Sequence, residues 1–411
     1  MAAELEHDPV AALREQAARY RPDRHPLQHA TAHFHLGGLL LERGALADAE
    51  TSFTTAAALF GARGARPEQA KALNGLGATL RAAGRPALAA RAFEHAAAGL
   101  AAAGLALEEG AARFNLGLVL REDGRAREAV VALQRAGELL EAGAVPAQAA
   151  AAARELGATL LQLGDADAAV ATLERAVERA DRARDTPALA AAANALGLAH
   201  LAAGRCTEAV QALRIAAAAS PRGRRPDAFA MAQANLALAF ERTGAPARAR
   251  LAARQALGVA APPPAVRDQA QAVLARLGPD AGDLRVALEQ APEDERAQLA
   301  REELARTLDA PPSQQAADLR AWLDAHVASS LEPVSVAELW LGALLELPAA
   351  QLDALARGGV AAAAERGGAD RETFRDAVTR AMARFHVPQL LRLQDVFSGA
   401  AADVGDPGPW R

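Results

Sequence analysis

Two stretches, LGGLLLERGALADAETSFTTA at 36–56 and LGLVLREDGRAREAVVALQRA at 116–136, decide the fold because they follow one pattern. Each opens with Leu-Gly, carries a second glycine seven residues after the first, and continues with an alanine, a large apolar residue and another alanine. The pattern recurs every 40 residues, in the last unit with alanine in place of the first glycine and of the large residue. The six marker leucines are Leu36, Leu76, Leu116, Leu156, Leu196 and Leu236. This recurrence predicts a repeat architecture over the first two thirds of the chain.

Each unit has the spacing of two helices joined by a short turn. In the first unit, Leu36 and Leu40 lie on one helical face, and the later alanine, phenylalanine and alanine lie on one face of a second helix. Gly44, between the two sets, is typical of the left-handed residue that ends a helix. Small residues at fixed positions allow two antiparallel helices to approach closely, so the pattern predicts an all-α protein built from helix pairs.

These residues resemble the tetratricopeptide repeat (TPR) family over roughly residues 30–262. The resemblance implies a right-handed TPR superhelix (α-solenoid) of six helix-turn-helix repeats, followed here by a helical C-terminal domain. The period of 40 exceeds the family's commoner 34, so this is the long-period type. We expect the six extra residues per unit to lengthen the second helix and its connection.

The segments on either side of the array lack the period. We expect an N-terminal capping helix in 1–29, a degenerate repeat or cap in 263–279, an α-helical C-terminal domain in 280–400 and a disordered tail in 401–411. Ser335 and Glu338 have capping-box spacing, which predicts a helix start at that point. Helices are predicted in the C-terminal domain at 293–308, 314–327, 336–345 and 370–385.

Composition excludes several classes of function. Lys+Arg 45 minus Asp+Glu 50 gives a formal net charge of −5, which disfavours nucleic-acid binding and attraction to anionic membranes. The single cysteine, Cys206, cannot form an internal disulfide. The first residues are acidic where a signal peptide is basic, and the most apolar later stretch, 337–347, is far shorter than a membrane helix. We expect a cytoplasmic protein without a cofactor.

Residues that could carry chemistry are sparse, and no phosphate-binding loop or HExxH motif is present. Four histidines could hold a metal ion or could instead pack against the first repeat: His25, His29, His33 and His35. A basic loop could contact phosphate, although a solvated loop is the favoured interpretation: Arg222, Arg224 and Arg225. A hidden enzyme would need a second set to converge: Asp324, His326, Glu338 and His386.

The family resemblance places partner binding on the concave face of the first helices. Carried over position by position, the candidate partner-binding residues are Phe34, Lys71, Asn74, Arg81, Phe114, Asn115, Arg121, Arg154, Asn194 and Asn235. Arginines among apolar residues would suit a protein or extended peptide with acidic and hydrophobic side chains. Alternatively, the arginines are solvated or paired with Glu122 and Glu155.

The resemblance and this groove predict a non-catalytic adaptor or scaffold that binds a peptide or partner protein. Two other functions stay open. One is a regulatory or sensor protein whose array binds a peptide or small ligand and signals through the C-terminal domain. The other is a scaffold that assembles with copies of itself.

Overall fold

A computed structural model describes residues 8–279, 282–366, 368–406 and 410. The described residues form an all-α protein with 21 helices, in which consecutive helices pack as in a TPR-like solenoid. The chain divides into two compact units, 1–204 and 205–411. The domain boundaries expected from the sequence stay predictions.

The first unit holds ten helices of regular length. From α2 onward each has 17 residues, and consecutive helices from α1 to α10 pack against each other. The helices are α1 (Pro9–Arg19), α2 (Pro26–Glu42), α3 (Leu46–Ala62), α4 (Arg66–Ala82), α5 (Pro86–Ala102), α6 (Ala106–Glu122), α7 (Ala126–Ala142), α8 (Pro146–Gln162), α9 (Ala166–Arg182) and α10 (Thr186–Ala202).

The expected lengthening of the second helix alone is wrong, because both helices have 17 residues in each of the first four repeats, α2 to α9. The chain turns once every 20 residues, at left-handed residues such as Gly44 (φ 73°), Gly64 (φ 69°) and Gly84 (φ 70°). Gly44 and Gly84 were predicted to end helices and do so. Gly64 likewise follows the end of a helix, but it lies between two successive repeats. The extra residues are therefore shared between the two helices, and the connections stay short.

The Leu-Gly pair places a large side chain of the second helix directly against the backbone of the first. A methyl group placed on Gly117 would lie 2.4 Å from Cγ of Leu133, and one on Gly157 would lie 2.5 Å from Cγ of Leu173. Both leucines are fully buried. Glycine is required here by the close approach of α6 to α7 and of α8 to α9.

Two turns of the first unit carry a side chain where glycine would be unstrained. Ala144 has φ 54° and Arg184 has φ 53°. The left-handed conformation costs an L-residue about 1–2 kcal/mol, and the greater conformational entropy that glycine loses on folding offsets part of the gain from replacing it. We expect Arg184→Gly to raise the free energy of unfolding by about 0.5–1 kcal/mol, measured by urea titration with circular dichroism. The reverse change at Gly164 (φ 81°), Gly164→Ala, should lower it; a gain in that control would contradict the interpretation.

The second unit holds eleven helices, of which α11 to α14 continue the helix pairs and the rest lack the period. They are α11 (Cys206–Ala218), α12 (Pro226–Arg242), α13 (Pro246–Leu257), α14 (Pro264–Leu277), α15 (Asp283–Gln290), α16 (Glu293–Asp309), α17 (Pro312–Ala328), α18 (Pro333–Leu345), α19 (Ala349–Arg366), α20 (Gly368–Met382) and α21 (Val387–Asp403).

Helices α15 to α21 surround one aromatic core. All three tryptophans of the chain are buried in it, together with Phe374 and Phe397. The ring of Trp340 lies 5.6 Å from that of Phe374 and 5.7 Å from that of Phe397. The region therefore buries a core of its own, in which tryptophan and phenylalanine rings pack among leucine and alanine side chains.

Three features of this region differ from the sequence expectations. The helix predicted to begin at a Ser335–Glu338 capping box instead begins at Pro333, whose fixed φ suits a first helical position, and Glu338 pairs with Arg384. Helices α15, α19 and α21 were not predicted, because their alanine-rich or short segments carry weak periodicity. Trp410 is buried and stacks on Phe397, so the expected disorder of 401–411 does not hold there; residues 407–409 and 411 of that segment lie outside the described residues.

Candidate functional site

Arginine–glutamate pairs join the first helices of neighbouring repeats. Arg81 on α4 donates hydrogen bonds to Glu122 on α6, with Nη2 2.6 Å from Oε1. Hydrogen bonds from Arg81 to Glu122 raise the pKa of this guanidinium above its usual value. Both side chains keep more than a third of their surface exposed, so solvent screens the pair and its contribution to stability is small.

Glu155 on α8 is shared by two arginines. Arg121 Nη1 on α6 lies 2.9 Å from Glu155 Oε2, and Arg154 Nη2 lies 2.7 Å from Oε1. The Glu155 side chain is only 14% exposed, while the two guanidinium groups reach further into solvent. Two cations on one carboxylate leave one positive charge in excess at this point of the surface.

Two further polar contacts join α4 and α6 at positions that precede Arg81 on α4. Lys71 Nζ lies 3.7 Å from Glu108 Oε1, and Asn115 Nδ2 donates to Asn74 Oδ1 at 3.4 Å. Together with the arginine pairs, these contacts form a polar ladder across α4, α6 and α8: Lys71, Asn74, Arg81, Glu108, Asn115, Arg121, Glu122, Arg154 and Glu155. The arginines pair with Glu122 and Glu155, which was one of the two alternatives that the sequence left open. Glu108 belongs to the polar ladder as well, although the sequence analysis did not predict it.

The two candidate aromatic residues also take part in helix packing. Phe34 lies edge-on to Phe53 with ring centroids 5.9 Å apart. Phe114 is partly buried against a cluster of α7 and α8 side chains that includes Leu140 and Ala152. Both side chains are partly exposed.

The two remaining asparagines differ in exposure. Asn194 on α10 is partly exposed. Asn235 on α12 is only 5% exposed, and its Oδ1 accepts a hydrogen bond from Gln269 Nε2 on α14 at 2.9 Å. Helix α14 therefore covers Asn235, a contact that the repeat pattern could not reveal because α14 has lost the motif register.

The histidine group lies between α1 and α2. His29 Nδ1 lies 2.9 Å from the carbonyl oxygen of Ala17 and 2.6 Å from that of Tyr20, and the rings of His29 and His33 are 4.6 Å apart. Burial lowers the pKa of His33 below its ordinary value. Within the described part of the chain, no group of three or more His, Cys, Asp or Glu side chains is placed to hold a metal ion.

The residues considered for a hidden enzyme are engaged in separate contacts. Asp324 pairs with Arg366, and Glu338 pairs with Arg384 at 2.7 Å. His326 is fully buried among aromatic rings. His386 caps the start of α21.

The basic loop before α12 is not fully solvated as expected. Arg222 is mostly buried, lies over the ring of Phe229 and pairs with Asp309 Oδ2 at 2.9 Å. Its charge is therefore compensated within the protein.

None of the helices formed by the described residues combines the length and apolar character needed to cross a bilayer.

Comparison with known proteins supports the repeat assignment. Residues 148–222 match the tetratricopeptide repeat family model. RapI in its apo form aligns with 91% of this chain and 91% of its own, at 11% identity and a TM-score of 0.51, which is a likeness of fold. The chain is also similar to the TPR-like repeats of a kinesin light chain from Podospora anserina, at 20% identity and a TM-score of 0.42, over 47% of this chain and 96% of that one. A further similar structure is BtubC from P. vanneervenii, at 20% identity and a TM-score of 0.43, over 51% of this chain and 90% of that one. No curated protein matches the chain. Residues 148–222 therefore carry tetratricopeptide repeats, and the six sequence units in one register and the helix pairs described above continue the same pattern on either side of them.

Proposed function

We propose that the protein is a non-catalytic adaptor in the cytoplasm whose polar ladder binds an extended peptide segment of a partner protein. Tetratricopeptide repeats indicate a protein-interaction scaffold, and repeats of this family are generally non-enzymatic. The observation that carries the proposal is the shared Glu155, which leaves Arg121 and Arg154 with one positive charge in excess on a partly exposed surface.

The ladder has the chemistry to hold a peptide with acidic and hydrophobic side chains. A guanidinium group has five N–H donors, so one that shares its counterion keeps donors that can bind a second carboxylate. The apolar neighbours Leu118 and Phe114 lie on the same helix as Arg121 and are partly exposed. Asn74 and Asn115 supply amide groups for the backbone of an extended ligand.

The test replaces the positive charges of the ladder with neutral polar side chains. We expect the triple variant Arg81→Gln, Arg121→Gln, Arg154→Gln to weaken binding of acidic, apolar peptides at least about tenfold in fluorescence anisotropy, since hydrogen bonds to charged groups are lost. The melting temperature should fall somewhat, because Glu155 is only 14% exposed and loses both of its arginine partners, and binding is therefore measured at a temperature where the variant is folded. The control is Arg182→Gln on α9, where Arg182 forms an exposed pair with Glu178 outside the ladder.

A photo-crosslinking amino acid locates the bound partner independently. Placed at Leu118, it should capture the partner, whereas at Val131 on α7, which is 67% exposed, it should not. Equal capture at both positions, or unchanged affinity in the triple variant, would show that the partner binds elsewhere.

A further inference from the structure

The second unit contains a partly enclosed cavity of about 210 Å³ between α11, α12, α13 and α16. Its lining combines alanine and leucine side chains and the ring of Phe240 with arginine, glutamine and acidic side chains from all four helices. An engineered apolar cavity of about 150 Å³ is large enough to take up benzene. A compact apolar group of similar or somewhat larger size therefore fits here.

Two arginines enter this cavity beside one aromatic ring. The guanidinium carbon of Arg248 lies 4.2 Å from the centroid of Phe240, and that of Arg214 lies 5.9 Å from it. The Arg248 side chain is 16% exposed. Burial, reinforced by the nearby charge of Arg214, lowers the pKa of Arg248 to about 10, and burial likewise lowers the pKa of Arg214. The two like charges are thus held close together in a poorly solvated place.

One carboxylate serves both arginines. Glu295, in the first turn of α16, pairs with Arg214 and lies 2.9 Å from Arg248 Nη2 through its Oε2. A carboxylate from a ligand could take the place of Glu295 with no change in the net charge of the cavity. Glu295 could then turn toward solvent, because its side chain is already 22% exposed.

The other acidic side chains leave this exchange possible. Glu302 is occupied by two amide donors, Gln298 Nε2 at 2.8 Å and Gln233 Nε2 at 3.0 Å, and burial raises the pKa of its carboxyl group. Asp294 also lines the cavity and interacts electrostatically with Arg214. Arg214 and Arg248 are the two cationic side chains of the lining, so an anion that enters the cavity would bind there, in competition with Glu295 and Asp294.

The cavity is separate from the groove predicted by the repeat pattern. On α12 it is lined by Gln233, Leu236 and Phe240. The groove positions of the same helix, Met231 and Leu238 among them, lie about 150° away around the helix axis at 3.6 residues per turn. A ligand in the cavity would contact both the last repeats and α16.

We propose that this cavity binds a carboxylate with a compact branched or aromatic apolar tail, the carboxylate replacing Glu295 on Arg214 and Arg248. The source of that chemistry is either a small organic acid or the C-terminal residue of a peptide. The proposal does not depend on peptide binding at the polar ladder.

Opposite effects of two substitutions test the proposal. The probes are 4-methylpentanoate and the peptide N-acetyl-Gly-Gly-Leu with a free C-terminus, and their affinities are measured by NMR titration of the full chain. We expect Arg248→Gln and Arg214→Gln each to weaken binding of the preferred probe about tenfold or more. Glu295→Gln should strengthen it about threefold to tenfold, because a competing carboxylate is removed. Arg380→Gln, which affects an exposed pair with Asp376 on α20, should leave it unchanged.

Neutral probes complete the design. 4-Methylpentanamide and the C-terminally amidated peptide should not bind detectably at concentrations that saturate the acids. Binding of the small acid alone assigns the site to small acids, and binding of the peptide alone assigns it to chain ends. The proposal is overturned if neither acid binds, if the neutral probes bind equally well, or if Glu295→Gln weakens binding. The triple arginine variant of the polar ladder should retain full affinity for these probes, which separates this result from the proposed function.

Discussion

Lowering the pH from 7 to 4 is expected to destabilise the aromatic core of the second unit by about 3 kcal/mol through one residue, His326. The His326 side chain is 0% exposed, and its ring lies 4.9 Å from that of Phe374 and 5.8 Å from that of Trp340. Burial lowers its pKa from 6.5 to about 4, although the contact of Nδ1 with the carbonyl oxygen of Trp322 at 2.7 Å opposes the shift.

The direction of the effect follows from where the proton binds. Between pH 6.5 and 4 the unfolded chain holds a proton on this imidazole, and the folded chain does not. The stability that His326 permits is therefore complete above pH 6.5 and is lost as the pH falls toward 4. Below pH 4 both states are protonated, so this residue adds no further pH dependence.

Tryptophan fluorescence measures this transition selectively, because all three tryptophans of the chain lie in that core. Urea titrations at several pH values should show a free energy of unfolding that falls more steeply in the wild type than in His326→Phe. The phenylalanine variant keeps an aromatic ring but cannot titrate. Parallel pH profiles for the two proteins would show that His326 is not the titrating group.

Overpacking a helix pair should have the next largest effect. Ala169 on α9 is fully buried, at the position where each of the six repeats carries an alanine. We expect Ala169→Leu to lower the free energy of unfolding by about 1–3 kcal/mol, since α8 and α9 have no space for three more carbon atoms.

A matched control lies two residues further along the same helix. Ala171 is exposed, so Ala171→Leu adds the same atoms without a clash and should change stability by less than about 0.5 kcal/mol. Urea titration by circular dichroism measures both variants. Equal losses in the two would mean that Ala169 does not face the neighbouring helix as described.

The polar ladder shows how far periodic reasoning reaches. Arg81 and Glu122 are separated by 41 residues, one repeat plus one residue, so the period already brought them to neighbouring positions on adjacent helices. Whether the arginine would pair or stay free was left open, because side-chain rotamers depend on the local environment. Asn235 followed the same period, yet α14 covers it, and the sequence of α14 gave no register from which to predict this.

The cavity illustrates the opposite limit. Arg214 and Glu295 are 81 residues apart, and α16 belongs to a region without a period. No spacing rule connects the two residues, and charged residues are frequent in all these helices. Only the packing of α16 against α13 places Glu295 beside the arginine pair.

The sequence by itself determined that this protein is a helical repeat protein, where the chain turns between the two helices of each repeat, and which small residues lie between paired helices. It could do so because these features depend on contacts between positions at constant separation, which recur in six units and reinforce one another. The tertiary structure alone decided which arginines are paired, how α14 and α16 cover the last repeats, and how His326 and Trp410 come to lie in one aromatic core. Those contacts join residues far apart in the chain once each, and a contact made once leaves no pattern in a single sequence.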